Sequence, residues 1–278
     1  MTTTESQPAP GDLTRGDDLA GKVAVVTGAA AGIGRAVALV LARSGLRLAL
    51  CDRDAEGLDR IAAEIMSDGG DVLCGVLDVR DATALDAFFD DVASRFERLS
   101  VLVNNAGGTF GAAFLDCSAK GEQALIAENF TSVTHCIRRA ARLMAAGGSI
   151  INITSSEAHR AAPGVAIYAA MKAAVASLTK SLALELADAR IRVNCIAPDR
   201  IPTAGEDAVA AQLVQPDMDL PWHPQPWPDG GDVSDAASAV LFLAGAGSRF
   251  ITGTTLHLDG GNWAASGWKR HHSGGYVL

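Results

Sequence analysis

The sequence predicts an α/β protein in which helices cover both faces of one doubly wound, seven-stranded parallel sheet. Short runs rich in Val, Ile and Leu alternate along the chain with segments of helical periodicity. These runs are apolar at consecutive positions, which is typical of strands buried on both faces. Glycine, at 29 of 278 residues, follows several of the runs and permits the tight turns that such a sheet requires.

Seven apolar runs predict the strands. In chain order they are K-V-A-V-V-T-G from Lys22, R-L-A-L-C-D from Arg47, V-L-C-G-V-L-D-V from Val72, L-S-V-L-V-N-N-A-G from Leu99, G-S-I-I-N-I-T-S-S from Gly148, I-R-V-N-C-I-A-P from Ile191 and T-G-T-T-L-H-L-D-G-G from Thr252. Helical spacing predicts helices over 33–43, 55–66 and 82–96, each after a strand, and helical segments fill the later gaps. The alternation shows no fixed-period repeat and no internal linker, so it predicts one domain.

The ends of the chain and one internal segment depart from this alternation. Residues 1–18 are polar and contain Pro and Gly, so we expect a disordered leader before a domain that covers 19–278. The segment 215–232 holds five of the ten prolines and two of the four tryptophans. Because proline interrupts helices and strands, we expect a loop there that covers the substrate as a lid. Residues 262–278 form a C-terminal extension.

The composition narrows the class of partner. A net charge of −9 and a pI near 5.1 argue against nucleic acid and against an anionic membrane surface, because both select basic patches. The N-terminus lacks the apolar stretch of a secretion signal, and no run reaches the roughly 18 apolar residues of a membrane helix. The cysteines are scattered and the histidines lack ligand spacing, so we expect a cytoplasmic protein with reduced thiols and no metal site.

The segment T-G-A-A-A-G-I-G, from Thr27 to Gly34, joins the first strand to the first helix. Gly28 permits the tight turn, Gly32 allows the backbone to approach a phosphate, and Gly34 allows close packing of the helix on the strand. The helix N-terminus then offers free N–H groups to a pyrophosphate. On its own, the pattern fits an ordinary glycine-rich turn about as well as a dinucleotide site.

Asp52 strengthens the dinucleotide interpretation. It ends the second strand, roughly 20 residues beyond the glycines, where a carboxylate binds ribose hydroxyls. A carboxylate at this position repels the 2′-phosphate of NADP, so the sequence favours NAD over NADP as the cofactor. The neighbouring Arg53 leaves NADP as an alternative cofactor, because a guanidinium binds such a phosphate.

Tyr168 and Lys172, in Y-A-A-M-K, share one face of a predicted helix. A lysine charge near a phenol lowers the phenol's pKa from about 10, so the tyrosine is suited to exchange a proton with an alcohol or a carbonyl. Ser155 follows the fifth strand, where open α/β sheets bind ligands, and its hydroxyl is suited to hold the reacting oxygen. The alternatives are a solvent-facing polar pair and an ordinary loop serine, with Ser156 beside it.

Together these residues resemble the short-chain dehydrogenase/reductase family over about 19–261. The shared motifs, in family order, are T-G-x-x-x-G-x-G, N-N-A-G, Asn129 in E-N-F, a serine 13 positions before Y-x-x-x-K, and a late D-G-G. The resemblance implies a Rossmann-type fold with Tyr168 as the acid/base and Lys172 lowering its pKa and binding the nicotinamide ribose. It also implies that Ser155 orients the substrate oxygen and that Asn129 supports a proton-relay water. The further cofactor contacts that it implies are Ile33, Asp78, Val79, Asn105, Ala106, Gly107, Pro198, Ile201 and Thr203.

The chain departs from the family pattern at one clear point. Asp199 follows Pro198, where the family usually has glycine, and this places a charge beside the nicotinamide pocket. The resemblance otherwise implies NAD-dependent interconversion of a secondary alcohol and a ketone by a homotetramer or dimer, with a small alcohol or ketone as the partner.

The sequence leaves alternatives open for the substrate. The apolar residues of the 215–232 segment favour an apolar or cyclic alcohol, such as a hydroxysteroid or terpenoid. A 3-oxoacyl thioester of acyl carrier protein is the main alternative, although the helix end M-A-A-G before the fifth strand lacks the basic residue that such reductases tend to carry. A non-catalytic dinucleotide-binding redox sensor is the remote alternative, and such proteins usually lose the tyrosine or the lysine that this chain keeps.

Overall fold

The computed structural model describes residues 19–203, 205, 212 and 225–277. The strands of the main sheet are β1 (Val23–Thr27), β2 (Arg47–Asp52), β3 (Val72–Val76), β4 (Val101–Asn104), β5 (Gly148–Ile153), β6 (Ile191–Pro198) and β7 (Thr255–Leu258). The helices around it are α1 (Gly32–Arg43), α2 (Ala55–Ser67), α3 (Ala82–Phe96), α4 (Ala119–Ile126), α5 (Ser132–Leu143), α6 (Ala166–Glu185) and α7 (Val233–Ala244). The predicted leader, 1–18, and residues 215–224 of the predicted lid lie outside the described residues.

The seven strands form one parallel sheet in the order β3-β2-β1-β4-β5-β6-β7. The predicted fold class and the seven predicted strands are therefore confirmed. The chain runs outward from β1 to β2 and β3, and then places β4 on the other side of β1. In doubly wound sheets, ligands bind at such a reversal of strand order, outside the carboxyl ends of the strands.

Apolar side chains alternate between the two faces of the sheet. Along β1, Ala24 and Val26 belong to the core shared with α1, α2 and α7, while Val23 and Val25 belong to the core shared with α3, α5 and α6. The central strands β1 and β4 are buried along their whole length, whereas the edge strands β3 and β7 are partly exposed. The expectation of strands buried on both faces therefore holds at the centre of the sheet, where each strand has neighbours on all sides.

The start of α1 differs from the starts of several other helices. Helices α2, α3, α4 and α7 each begin with a side chain that accepts a hydrogen bond from a backbone N–H of the first turn. These capping residues are, in the same order, Asp54, Asp81, Ser118 and Asp232. Helix α1 begins at Gly32, after Ala31, and has no side-chain cap. Its first N–H groups therefore have no side-chain cap, which is compatible with a phosphate site at this helix N-terminus.

The C-terminal extension has local structure that the sequence did not predict. Helix α8 (Asn262–Ala265) follows β7, and β8 (Lys269–Arg270) pairs antiparallel with β9 (Tyr276–Val277) in a small hairpin. Gly274 and Gly275 have φ angles of 93° and 77° in the connection between these strands, a conformation that glycine adopts without a Cβ clash. Neither α8 nor any other helix of the described residues is long and apolar enough to cross a membrane.

Candidate active site

A cleft of about 770 Å³ opens at the carboxyl ends of the strands. The predicted site residues that line it are Gly28, Gly32, Ile33, Asp52, Arg53, Asp78, Val79, Asn105, Ala106, Gly107, Ser155, Tyr168, Lys172, Pro198, Ile201 and Thr203. The other two, Gly34 and Asn129, are buried behind this surface, next to Gly28 and Gly108 respectively. The fold therefore brings all the predicted residues together at one cleft.

The loop between β1 and α1 is shaped by three glycines, and we call its surface the glycine cradle (Gly28, Gly32 and Gly34). Gly28 and Gly32 have φ angles of 65° and 54°, in the left-handed region. A Cβ on Gly34 would lie 2.0 Å from the carbonyl oxygen of Gly28. The Asn105 side-chain amide donates to the carbonyl oxygens of Thr27 (3.1 Å) and Gly28 (2.9 Å) and ties the loop to the end of β4. These contacts leave no room for a side chain at Gly34, and the loop presents its backbone to the cleft at Gly28 and Gly32, as a dinucleotide pyrophosphate site requires.

Backbone amides hold the carboxylate of Asp52 at the end of β2. Oδ2 accepts a hydrogen bond from the N–H of Ala30 (3.0 Å), and Oδ1 accepts one from the N–H of Asp54 (3.0 Å). Arg53 lines the same cleft, and its side chain is exposed to solvent. The two backbone bonds fix a negative charge at the position where the sequence predicts contact with ribose hydroxyls.

Asp78 and Val79 follow β3 on the side of the cleft predicted for adenine. The Arg80 guanidinium donates to Asp78, with Nε 2.9 Å from Oδ1 and 3.0 Å from Oδ2. These bonds hold the pKa of the Asp78 carboxyl below its usual value, although burial acts in the opposite direction. Val79 is buried and adds an apolar surface beside this ion pair.

Lys172 is buried on α6, beneath Tyr168. Its Nζ donates to the carbonyl oxygen of Ile153 at the end of β5 (2.9 Å) and lies 5.5 Å from the centroid of the Tyr168 ring. Burial lowers the pKa of Lys172 to about 8, while the nearby negative charge of Glu128 acts to raise it. The ammonium group is therefore held close to the Tyr168 ring, on the same face of α6.

Asn129 is buried in a π-helical turn, Ala127–Thr131, between α4 and α5. Its Nδ2 donates to the carbonyl oxygen of Gly108 (2.9 Å), and its Oδ1 accepts from the N–H of Gly108 (3.2 Å). A Cβ on Gly107 would lie 2.8 Å from Asn129 Oδ1 and 3.0 Å from Lys172 Nζ, so glycine is needed there. The Asn129 side chain thus supports the backbone that forms the floor of the cleft, and π-helical turns of this kind are frequent at functional sites.

Ser155 lies in the segment after β5, residues 154–160, which we call the Ser155 loop. Its side chain caps a short 3-10 helix, Ser156–Ala158, and its Oγ accepts a hydrogen bond from the N–H of Glu157 (3.2 Å). This arrangement leaves the Ser155 hydroxyl proton to donate to a substrate oxygen. The Ser156 hydroxyl instead donates to Asp199 (2.8 Å). Of the two serines, the geometry therefore favours Ser155 as the one that contacts substrate.

Sequence reasoning singled out Asp199 only as a departure from the family pattern, and it missed the partners of this residue. The Asp199 side chain is only 4% exposed. Burial alone would raise its pKa, but hydrogen bonds from Asn262, Ser156 and Gln225 and the charge of Arg160 hold the pKa below its usual value. The partners come from three separate segments, so no spacing in the sequence connects them. Glu128, which lines the cleft, was also missed, because one acidic residue beside Asn129 gives no motif.

The loop after β6 lines the cleft, whereas the described residues of the predicted lid, 225–232, do not. Ile201 is buried, and Thr203 lies against the cradle, 3.3 Å from where a Cβ on Gly32 would be. The backbone N–H of Trp227 donates to the carbonyl oxygen of Gly260 (2.9 Å), and the residue is 64% exposed and does not line the cleft. A lid function for 215–232 stays a prediction.

The fold and the cleft define a class of protein, an α/β protein of the dinucleotide-binding type in which a serine, a tyrosine and a lysine line the same cleft as the glycine cradle. The part of the chain that the structure describes contains no group of three or more His, Cys, Asp or Glu side chains that could hold a metal ion.

Comparison with known proteins gives the family. A family model described as enoyl-(acyl carrier protein) reductase matches residues 28–262. The chain is 35% identical over 247 residues to a 3-oxoacyl-[acyl-carrier-protein] reductase of Synechocystis sp., covering 87% of this chain and 97% of that protein. It is 37% identical over 247 residues to a 2,5-dichloro-2,5-cyclohexadiene-1,4-diol dehydrogenase of Sphingobium indicum, covering 87% of this chain and 96% of that protein. The solved structure of a 7α-hydroxysteroid dehydrogenase with NADH and 7-oxo glycochenodeoxycholic acid matches with a TM-score of 0.81 and 32% identity, covering 88% and 96%.

The chain belongs to the short-chain dehydrogenase/reductase family, whose members are oxidoreductases that use nicotinamide dinucleotides.

Proposed function

We propose that the protein is an NAD-dependent oxidoreductase that interconverts a secondary alcohol and a ketone by hydride transfer. The observation that carries this proposal is the convergence of Ser155, Tyr168 and Lys172 on one cleft with the glycine cradle. The glycine cradle and Asp52 would hold NAD, which would supply the hydride acceptor. The side chains of this protein position the alcohol and move its proton.

In the direction of oxidation, Ser155 donates a hydrogen bond to the substrate oxygen and orients the alcohol. Tyr168, as phenolate, takes the hydroxyl proton while the C–H bond of the carbinol carbon breaks. Lys172 stabilises the phenolate through its charge, and the carbonyl oxygen of Ile153 holds the ammonium group in place. In the direction of reduction, Tyr168 returns the proton to the carbonyl oxygen.

The preference for NAD is proposed from Asp52. Its carboxylate is fixed by two backbone bonds, and a fixed negative charge repels a 2′-phosphate more strongly than one that moves away. We expect Asp52→Asn to lower the ratio of kcat/KM for NAD over NADP by about tenfold or more, equivalent to about 1.4 kcal/mol. Initial rates with both cofactors, read from the absorbance of the reduced form, measure this ratio.

Arg53→Gln is the matched control for this substitution, because Arg53 is the neighbour that could bind a 2′-phosphate. We expect it to change the NAD/NADP ratio less than twofold. A wild-type protein that uses NADP more efficiently than NAD, or a large loss of NADP turnover in Arg53→Gln, would contradict the proposal.

For the substrate, we propose an apolar or cyclic secondary alcohol. By their names, two of the similar proteins act on ring compounds, a chlorinated cyclohexadiene diol and a hydroxysteroid. A panel of hydroxysteroids, cyclic diols and linear secondary alcohols, each with NAD, tests this proposal. We expect kcat/KM to be highest for a ring substrate, and a clear preference for linear alcohols would contradict it.

Reduction of 3-oxoacyl thioesters is the second candidate, and the similarity to the Synechocystis reductase favours it. Asp52 and the helix end M-A-A-G count against it. Turnover of acetoacetyl-CoA with NADPH, compared with NAD-dependent oxidation of the alcohol panel, separates the two candidates. Faster thioester reduction would replace the first proposal by the second.

We further propose that the protein is a homotetramer or a dimer. Strand β7 is an edge of the sheet, and apolar side chains on it and on the preceding segments are exposed, with Leu256 at 37%, Phe242 at 45% and Phe250 at 93%. Exposed apolar side chains beside an open strand edge favour association with a second copy of the chain. Light scattering coupled to gel filtration measures the mass in solution, and a monomer at micromolar concentration would contradict this.

A further inference from the structure

Asp199 carries a charge into a place that is almost closed to water. Its side chain is 4% exposed, and it lies in the wall of the cleft. A buried carboxylate is costly unless several donors surround it, so the identity of its donors shows what it holds together.

The two carboxylate oxygens of Asp199 face different parts of the molecule. Oδ1 accepts from Ser156 Oγ (2.8 Å) and from Arg160 Nη2 (2.8 Å), both in the Ser155 loop. Oδ2 accepts from Asn262 Nδ2 (2.7 Å), the first residue of α8. The backbone N–H of Asp199 also donates to the carbonyl oxygen of Leu258 at the end of β7 (3.0 Å). The residue therefore links the Ser155 loop on one side to the C-terminal region on the other.

The bonds to Oδ1 fix both ends of the 3-10 helix that Ser155 caps. Ser156 begins this helix, and Arg160 lies just beyond its end. The same Arg160 Nη2 also contacts Glu157 Oε1 (2.7 Å), while the N–H of Glu157 donates to Ser155 Oγ. The position of the Ser155 hydroxyl thus depends on a helix that is fastened to Asp199 at two points.

We propose that Asp199 is a positioning residue, which holds the Ser155 loop in its catalytic geometry and fastens that loop to α8 of the C-terminal extension. The proposal rests on the proposed function, in which Ser155 binds the substrate oxygen. Glycine at this position has no side chain and offers neither bond. The C-terminal extension is thereby part of the support of the active site, although its residues lie outside the cleft.

Asp199→Asn tests the proposal, because it keeps the size of the side chain and removes its charge and one acceptor. We expect kcat to fall about tenfold or more, since small displacements of a positioned group are costly. We expect the dissociation constant for NADH to stay within twofold of wild type, because the glycine cradle is untouched. Asp188→Asn, at an exposed aspartate, is the matched control and is expected to leave kcat unchanged.

Hydrogen exchange gives a readout that does not depend on turnover. The N–H groups of Glu157, Ala158 and His159 are bonded within the Ser155 loop. In Asp199→Asn we expect them to exchange at least about tenfold faster, while amides of the glycine cradle keep their wild-type rates. Unchanged exchange in the Ser155 loop would overturn the proposal, as would equal acceleration in both regions, which indicates general loss of stability.

A double-mutant cycle identifies the route of the effect. If Asp199 acts through Arg160, the double variant Asp199→Asn/Arg160→Gln should lower kcat little more than either single substitution does. Additive losses of kcat would overturn that route. Asn262→Ala removes only the bond on the side of α8 and is expected to give a smaller loss of the same kind. A wild-type protein without turnover on any alcohol or ketone would count against the proposed function, and the exchange comparison would then still decide whether Asp199 fastens the loop.

Discussion

The two sides of the cleft are built by different means. On the side of β1 and β2, the surface is mostly backbone, and its shape depends on side chains that are missing, at the glycine cradle above all. On the side of β5 and β6, the surface is made of side chains that depend on one another, with Lys172 held by Ile153 and Ser156 held by Asp199. Substitutions that add atoms are therefore expected to disturb the first side, whereas substitutions that remove a hydrogen-bond partner are expected to disturb the second.

Tyr168→Phe is the sharpest test of this separation, because it removes one oxygen on the side-chain side only. Turnover should fall about 10³-fold, since acid/base catalysis contributes about 10²–10⁴-fold. The dissociation constant for NADH, measured by fluorescence titration, should stay within twofold. Tyr276→Phe is the matched control, because the other tyrosine of the chain lies 53% exposed on β9. Retained turnover in Tyr168→Phe would exclude the proposed mechanism.

Gly34→Ala makes the opposite change, since it adds one carbon on the backbone side. The new Cβ would lie 2.0 Å from the Gly28 carbonyl oxygen and 2.5 Å from Asn105 Nδ2, so the cradle must distort. We expect the free energy of unfolding to fall by about 2–3 kcal/mol and NADH binding to weaken at least tenfold. Denaturant unfolding and fluorescence titration measure the two effects. Gly230→Ala, where a Cβ meets nothing within 4 Å, should change neither, and normal NADH binding by Gly34→Ala would show that the cradle is not the cofactor site.

Lys172 lies on the side of β5 and β6, and its buried charge predicts a pH effect. Burial lowers its pKa from 10.5 to about 8, so between these values the unfolded chain holds a proton that the folded chain has released. Stability therefore rises with pH in this window through Lys172, by up to about 1.4 kcal/mol per pH unit, and the cost of the buried charge is fully present below pH 8.

Lys172→Met removes this titration. We expect its free energy of unfolding, relative to wild type, to be highest near pH 7 and to decline steadily from about pH 8 to pH 10, in urea unfolding at each pH. Lys180→Met, at an exposed lysine on the same helix, should give a difference that is constant with pH. A pH-independent difference for Lys172→Met would show that the ammonium group is not buried as the structure has it.

The sequence predicted best those features that depend on residues close together along the chain. The strands and the first helices were predictable because strands buried on both faces are apolar at consecutive positions, whereas a helix buries about every third or fourth residue. The hairpin of β8 and β9 was not, because each strand is only two residues long and shows no periodicity. The lid over 215–232 stays a prediction, because residues 215–224 lie outside the described part of the chain.

The sequence by itself determined the fold class, the glycine cradle, the carboxylate at the end of β2 and the pairing of Tyr168 with Lys172. Each of these features depends on residues a few positions apart or on the regular succession of strands and helices, so it can be predicted without knowledge of the tertiary contacts. Only the tertiary structure decided that Lys172 is buried, that Ser155 rather than Ser156 is left to donate to a substrate, and that Asp199 joins the Ser155 loop to α8. Among the partners of Asp199, Arg160, Ser156 and Asn262 lie 39, 43 and 63 positions away along the chain, and only the packing of the sheet and its loops brings them within hydrogen-bond distance.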